Sequence, residues 1–451
     1  MLPSKWLALL ETYRAAAMDS PWVTFFQFNS VNVIYVTLGC IILGMTAGLI
    51  GSFAFLRKRS LLGDAMSHAA WPGIGAAFML QGAKDPWVIL LGALLSCWLG
   101  AMVIEGLVRY TRCKEDSALG IVLSVFFGLG TLISTHIQHT GNADQAGLNK
   151  FFFGQAAALV KDDVMVLGCL GIFMCLGVLL AYKEFKIVSF DPDFAQATGL
   201  PTRWISLALA TLIVFAVCIG LQVVGVVLMA AMLVTPAAAA RYWTERLSVM
   251  LFLAALIGAF SGFLGAYISY LGPKMPTGPW MVVAVTTLFL FSFFLAPKRG
   301  VVPRLWRMAL FRKKTARENV LRSLYKFGES IQNWDAPHTL ADLVQARRMA
   351  LPLLRRTMAG LVQDGLLIET SQGLYQLSDT GLKRGARLTR LHRLWELYLT
   401  SKLEIAPDHV HDDAEEIEHI LTPELERRLV EELDIPKIDP HGSHIPAGGT
   451  S

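Results

Sequence analysis

Charge is scarce over the first two thirds of this 451-residue sequence: about one residue in ten is ionisable before position 297, against more than one in four after it. With 54% hydrophobic residues overall, that asymmetry excludes a uniformly soluble protein and describes an apolar half followed by a polar one. Cysteine is equally uninformative as chemistry, because the six thiols at 40, 97, 113, 169, 175 and 218 contain no CxxC pair. That excludes a disulfide framework and a thiolate zinc site and leaves small apolar packing residues. No G-x-x-x-x-G-K-[ST] loop occurs, so the chain has no such cradle for a nucleotide phosphate. Residues 1–30 lack the basic start and apolar core of a cleaved leader; Lys5, Glu11, Arg14 and Asp19 instead suit an interfacial amphipathic segment.

What is present is a series of apolar runs near 31–56, 60–80, 87–108, 117–137, 163–182, 204–220, 222–240, 248–270 and 278–296. Each is long enough to cross a hydrocarbon core of roughly 30 Å. The division of 204–240 is placed at Gly220-Leu221-Gln222. Basic clusters at Arg57-Lys58-Arg59, at Arg109, Arg112 and Lys114, at Lys183 and Lys186, at Arg241 and Arg246, and at Lys298-Arg299 all fall on one side if there are nine crossings and an external N-terminus. The expected fold is therefore an all-α polytopic membrane domain in the inner (plasma) membrane, with a cytoplasmic soluble region after it.

Ionisable groups inside an apolar helix cost a few kcal/mol each, so those retained there mark the chemistry. The strongest case is Asp64 and His68, four residues apart and thus on one helix face. With a helix starting at Ser60 and rising about 1.5 Å per residue, they lie about 6 and 12 Å deep. One carboxylate and one imidazole make half a coordination shell for a divalent transition ion.

The stretch RKRSLLGDAMSHAAWPGIGAAF at 57–78 resembles the signature of the ABC-3 permeases of manganese, zinc and iron importers. Glu115 to Ile121, Phe190-Asp191-Pro192-Asp193-Phe194-Ala195 with Gly199, Val224-Gly225 through Thr235-Pro236-Ala237, and Pro276-Thr277-Gly278-Pro279 match in order, over 31–297. The resemblance implies a helical domain working as a dimer, with itself or a sister permease, an extracytoplasmic metal-binding protein outside and a separate ABC ATPase inside. The chain itself is then a transport permease, not an enzyme. Within 185–203, residues 190–198 are expected to form a short helix that docks the ATPase, with Phe190, Asp191, Asp193, Ala195 and Gly199 as its coupling residues. His136 and His139 are assigned to an external loop, 137–150, as candidates for handing metal to the pore.

After a basic juxtamembrane linker at 298–317, suited to lying on anionic lipid, residues 318–380 follow the pattern of a winged helix-turn-helix. Helical apolar spacing passes through Val320, Leu321, Leu324 and Tyr325, then 340–344, then 351–362; extended pieces at 366–369 and 374–377 flank a turn. In a DNA-binding version of this motif Arg347, Arg348, Arg355 and Arg356 would meet phosphates. In the final segment, 381–451, His392 and Glu396 are an i, i+4 pair, and Glu415, Glu418 and His419 share another helix face. Carboxylates and imidazoles without thiolate suit Mn²⁺, Fe²⁺ or Zn²⁺.

The runs HRLWE and HDDAEEIEHILTPELERRL, with Asp439-Pro440-His441-Gly442, resemble the metal-dependent repressors of the diphtheria-toxin and manganese-transport type. Carried over by position, His392, Glu415, Glu418 and His419 match metal ligands, and Glu396 and His411 match a second, iron-type site. Glu415 stands where iron-type members have cysteine and manganese-type members glutamate, which favours Mn²⁺ over Fe²⁺, with Zn²⁺ third. One departure is plain: Asn319 and Arg322 stand where manganese-type members supply two acids, and Arg322 cannot ligate a metal. The function expected is a metal-importer permease fused to a metal-responsive repressor-like domain. Its alternatives are a C-terminal gate on transport that binds no DNA, and a membrane-tethered transcription regulator.

Overall fold

The structure is a computed structural model, and it describes residues 21–28, 30–59, 61–81, 86–139, 154, 156–273, 275–347, 349–370, 373–403, 422–434, 436 and 438–446. Two compact units divide at Pro303/Arg304.

In the first unit a short helix α1 (Pro21–Phe26) precedes α2 (Val31–Leu56), α3 (Leu62–Gln81), α4 (Pro86–Tyr110), α5 (Glu115–His139) and α6 (Lys161–Leu180). Two short helices, α7 (Tyr182–Phe190) and α8 (Pro192–Ala197), lead to α9 (Thr202–Val223), α10 (Val226–Trp243), α11 (Leu247–Leu271) and α12 (Thr277–Leu295). Eight of these are long and apolar enough to cross a membrane. The ninth long helix, α3, is not among them, and its position explains why: thirteen of its twenty residues are buried against neighbouring helices. A helix surrounded by protein need not be apolar on every side.

Close packing is concentrated where α2 meets α11. A Cβ on Gly44 would lie 2.1 Å from the Gly258 carbonyl oxygen, and one on Gly258 would lie 1.9 Å from that of Gly44. Only glycine lets the two backbones approach so closely, as at small-residue crossings of membrane helices. The break between α9 and α10 falls at Val224-Gly225, where Gly225 has φ +91°, and not at Gly220-Leu221-Gln222. Gly220 is instead a packing position inside α9, against the Met229 side chain. His136 and His139 correct a second expectation, since they belong to the last turn of α5 rather than to a loop; residues 140–153 lie outside the described set, as does 1–20 of the N-terminal segment.

The second unit begins within α13, which runs without interruption over Val301–Ile331, so the basic connector and the first helix of the winged motif are one element. Next come α14 (Leu340–Arg347), α15 (Leu351–Gln363), the hairpin β1 (Leu367–Glu369) and β2 (Tyr375–Leu377), then α16 (Asp379–Lys402) and α17 (Pro423–Glu432). The strands pair antiparallel, Leu367 opposite Leu377, and His338 forms a further bridge to Tyr375. The core gathers Leu321 and Leu324 of α13, Leu343 of α14, Leu354, Met358 and Leu361 of α15, Leu367 and Leu377 of the wing, and Leu388 of α16. Each such leucine contributes about 1.5–3 kcal/mol by leaving water. Thr339 begins α14 as a capping box, its hydroxyl accepting from the Asp342 N–H at 3.2 Å while its own N–H and hydroxyl donate to the Asp342 carboxylate at 2.8 Å.

Candidate functional site

The turn into α3 is built from the basic signature itself. Lys58 takes the left-handed conformation (φ +59°), its N–H bonding back to the Phe55 carbonyl and the Arg59 N–H to the Ala54 carbonyl. This is a Schellman closure of α2 made without glycine. The two flanking arginines pin the turn: Arg59 pairs with Glu115 at the start of α5 at 2.5 Å, and Arg57 donates to the Ser206 hydroxyl of α9 at 3.1 Å.

Held in this way, α3 presents Asp64 and His68 together, with the carboxylate Oδ1 3.6 Å from the imidazole Nε2 and both side chains partly buried. The Phe127 ring of α5 and the His68 ring pack edge to face, their centroids 5.1 Å apart at 86°. His68 Nδ1 is buried with no hydrogen-bond partner among the described residues. Pro72, one turn further on, has no N–H to give the His68 carbonyl. Among the described residues no group of three or more His, Cys, Asp and Glu side chains is assembled. Among the described residues, one chain brings two side-chain donors together at this point.

The segment at 190–200 is specified at both ends. The Asp191 carboxylate accepts from the Phe194 N–H at 2.9 Å, Pro192 occupies the first helical position, and Gly199 (φ +82°) closes α8 with the Leu200 N–H bonded to the Ala195 carbonyl. Ala195 is fully buried, whereas Phe190 and Phe194 are each 56% exposed, with Asp193 exposed beside them. Two aromatic side chains thus stand out at the junction of α7 and α8, Phe190 ending the first and Phe194 within the second.

In the second unit, Arg355 and Arg356 lie exposed on α15; Arg347 ends α14, and Arg348 lies outside the described residues. Of the six candidate ligands, His411, Glu415, Glu418 and His419 also lie outside them. His392 and Glu396 are 1% and 2% exposed on α16, with Nε2 3.0 Å from Glu396 Oε1. Arg322 of α13, 1% exposed, is the partner that sequence spacing did not reveal: its Nη1 lies 2.7 Å from His392 Nδ1. Since arginine only donates, Nδ1 accepts and the ring proton sits on Nε2, facing Glu396. The described part of this site is thus filled by a cation of the protein and does not fit a metal ion. Asn319, one turn before Arg322, keeps a buried side-chain oxygen with no hydrogen-bond partner among the described residues.

A second buried cluster adjoins it. Arg393 forks onto Glu329 of α13 at 2.9 and 2.7 Å and pairs with Asp439 at 3.2 Å, while its Nη1 also donates to the His444 carbonyl at 2.5 Å. Burial pushes the Arg393 guanidinium down, but the hydrogen bonds and charges of Glu329 and Asp439 outweigh it and leave its pKa above the usual value. No motif marked Arg393; only the acidic partners distant in sequence identify it.

Comparison with known proteins assigns both units. Residues 30–296 match the model of the ABC 3 transport family. The chain belongs to the ABC 3 transport family. Its C-terminal part, 378–447, matches the iron dependent repressor metal binding and dimerisation domain. The manganese transport system membrane protein MntC of Bacillus subtilis is 41% identical over 388 residues, 86% of this chain and 88% of that protein. The zinc transport system membrane protein TroC of Treponema pallidum is 46% identical over 280 residues, 62% of this chain and 94% of its own length. Among solved structures, PsaBC from Streptococcus pneumoniae in complex with a Fab aligns with a TM-score of 0.56 and 30% identity, over 64% of this chain and 98% of that one. This ABC 3 protein is accordingly a multi-pass membrane permease carrying a repressor-like domain after its last apolar helix.

Proposed function

We propose that this chain is the permease subunit of an importer that brings a divalent transition metal, manganese first and zinc or iron after it, across the inner membrane. The observation that carries the reading is the Asp64–His68 pair on α3, two metal donors on the long helix of the bundle that is not apolar enough to be a membrane span by itself. Oxygen and imidazole nitrogen suit such an ion, and a second copy or sister permease about a two-fold axis would complete a four-donor site. Relatives named for manganese and zinc transport support the substrate class. ATP hydrolysis is assigned to a separate ATPase that docks on Phe190 and Phe194 around α8, and delivery outside to a metal-binding protein. On the positive-inside bias the second unit is cytoplasmic.

Uptake of radioactive manganese by cells carrying the full chain with its ATPase and binding protein tests this. Asp64→Ala and His68→Ala should each lower uptake at least tenfold with unchanged membrane levels, and wild-type uptake by the double variant overturns the reading. Phe190→Ala combined with Phe194→Ala should abolish uptake while the separate ATPase still hydrolyses ATP.

For the second unit the donor set Glu415, Glu418 and His419, without thiolate, favours Mn²⁺ over Fe²⁺ as the ion bound there. The exposed pair Arg355 and Arg356 on α15, beside a two-stranded wing, favours DNA as its partner. A gel shift against DNA upstream of its own operon, with and without Mn²⁺, should show sequence-selective binding that weakens steeply with salt. No shift at any salt would leave the domain as a gate on transport.

A further inference from the structure

Among the described residues Arg322 is one of the largest side chains to be fully buried, and it is charged. A guanidinium leaves water at high cost unless its charge is answered. Among the described residues a chain of side chains meets it: Arg322 Nη1 to His392 Nδ1 at 2.7 Å, then His392 Nε2 to Glu396 Oε1 at 3.0 Å. It also joins α13 to α16 through side chains 70 positions apart in sequence.

A neutral imidazole owns one lone pair in the ring plane, and a metal ligand must spend it on the metal. His392 has spent it on Arg322. A 2.7 Å separation of two nitrogens holds one hydrogen, whereas a metal ion needs about 2.0–2.1 Å to each nitrogen it binds. To reach Nδ1 a divalent ion would have to expel a buried cation that repels it.

We propose that Arg322 replaces a metal ion at the α13–α16 junction. Its fixed charge does for His392 and Glu396 what a bound cation would otherwise do, so the junction stays closed at every metal concentration and His392 and Glu396 are not metal ligands in this chain. Metal captured by the 411–419 region then reaches a domain whose first helix is already locked. The proposal rests on the repressor-like reading of the second unit but not on the transport reading of the first, and the two fail separately.

The test is calorimetric titration of the purified full chain with Mn²⁺, in an Asp64→Ala, His68→Ala background so that the permease pair does not contribute. His392→Ala should leave the Mn²⁺ affinity within twofold; a loss of tenfold or more overturns the proposal. Arg322→Glu supplies a carboxylate where the guanidinium was and should raise affinity at least tenfold, a gain that adding His392→Ala removes. Arg322→Met, neutral and of similar length, covers the case in which a carboxylate beside Glu396 prevents folding; it should free Nδ1 and give a gain that is also His392-dependent. Failure of both folded variants to gain affinity overturns the proposal. Amide hydrogen exchange gives an independent reading: in the wild-type chain the α13 and α16 amides should be equally protected with and without Mn²⁺, whereas in Arg322→Met their protection should fall and be restored by Mn²⁺. Metal-dependent protection in the wild-type chain would refute the replacement.

Discussion

Replacing Arg393 by Met removes a buried, multiply bonded charge of the second unit while keeping most of its stem. Four contacts go at once: two to Glu329, one to Asp439 and one to the His444 carbonyl. The partners do not suffer equally. Glu329 has a side chain 28% exposed and can recover water, but that of Asp439 is 4% exposed and cannot. Asp439 retains the N–H groups of His441 and Ser443 on its other oxygen at 3.0 and 2.7 Å, which softens the loss. Breaking a buried pair costs about 3–5 kcal/mol, and the remaining hydrogen bonds of Asp439 place this case at the low end, about 3 kcal/mol. For a unit of about 150 residues that corresponds to a fall of roughly 6–12 °C in Tm. Calorimetric melting of the full chain in lipid nanodiscs, following the transition of the second unit, measures it directly. Arg393→Lys should fall between wild type and Arg393→Met, because an ammonium restores charge but not the fork. Because the pKa of Arg393 is raised on folding, its contribution is fully present below the ordinary arginine range and is lost only above it, so the defect should not vary between pH 6 and 9. A change under about 1 °C for Arg393→Met would refute the assignment of Asp439 as a charge that depends on it.

The remaining predictions are smaller in scope. Gly258→Val should prevent stable packing of α2 on α11, since a Cβ there would meet the Gly44 carbonyl at 1.9 Å; a normally expressed and monodisperse variant would contradict the close approach. Thr339→Ala should cost the second unit about 1 kcal/mol by removing the cap of α14, read as a shift in its melting transition. The backbone N–H and hydroxyl of Thr339 hold the Asp342 carboxyl below its usual pKa of 3.8. Its stabilisation is thus present above pH 4 and fades as pH falls through the lowered folded value, and Asp342→Asn should flatten that part of the acid denaturation curve.

The apolar runs located the eight helices long and apolar enough to cross a membrane, because each must bury or face lipid along its whole length; the run at 60–80 falls on α3, which is packed among them and is not one of the eight. The break at Gly225 was misplaced by a few residues for an equally physical reason. Hydropathy treats Gly220 and Gly225 alike, but one touches Met229 inside a helix and the other must adopt φ +91°. The basic connector was separated from the winged motif because its charges interrupt an apolar pattern, although nothing in them interrupts helical hydrogen bonding across Val301–Ile331. Asp64 and His68 were legible from i, i+4 spacing within one element. Arg322 was legible only as a residue that could not ligate; its partner His392 is brought to it by tertiary packing, which no local spacing encodes.

The arginine turn before α3 has a mechanical consequence. Ser206, which receives Arg57, lies one turn into α9, and α9 follows directly from the Gly199-Leu200-Pro201 closure of α8. Asp64 lies seven residues beyond Arg57, in the first turn of α3. Phe194 of α8 and the candidate pair Asp64 and His68 of α3 therefore stand at the two ends of a short linkage, Phe194 to α9 to Arg57 to Asp64, beside the Arg59–Glu115 ion pair. Apart from the continuous backbone, that linkage runs through a single side-chain hydrogen bond, Arg57 to Ser206.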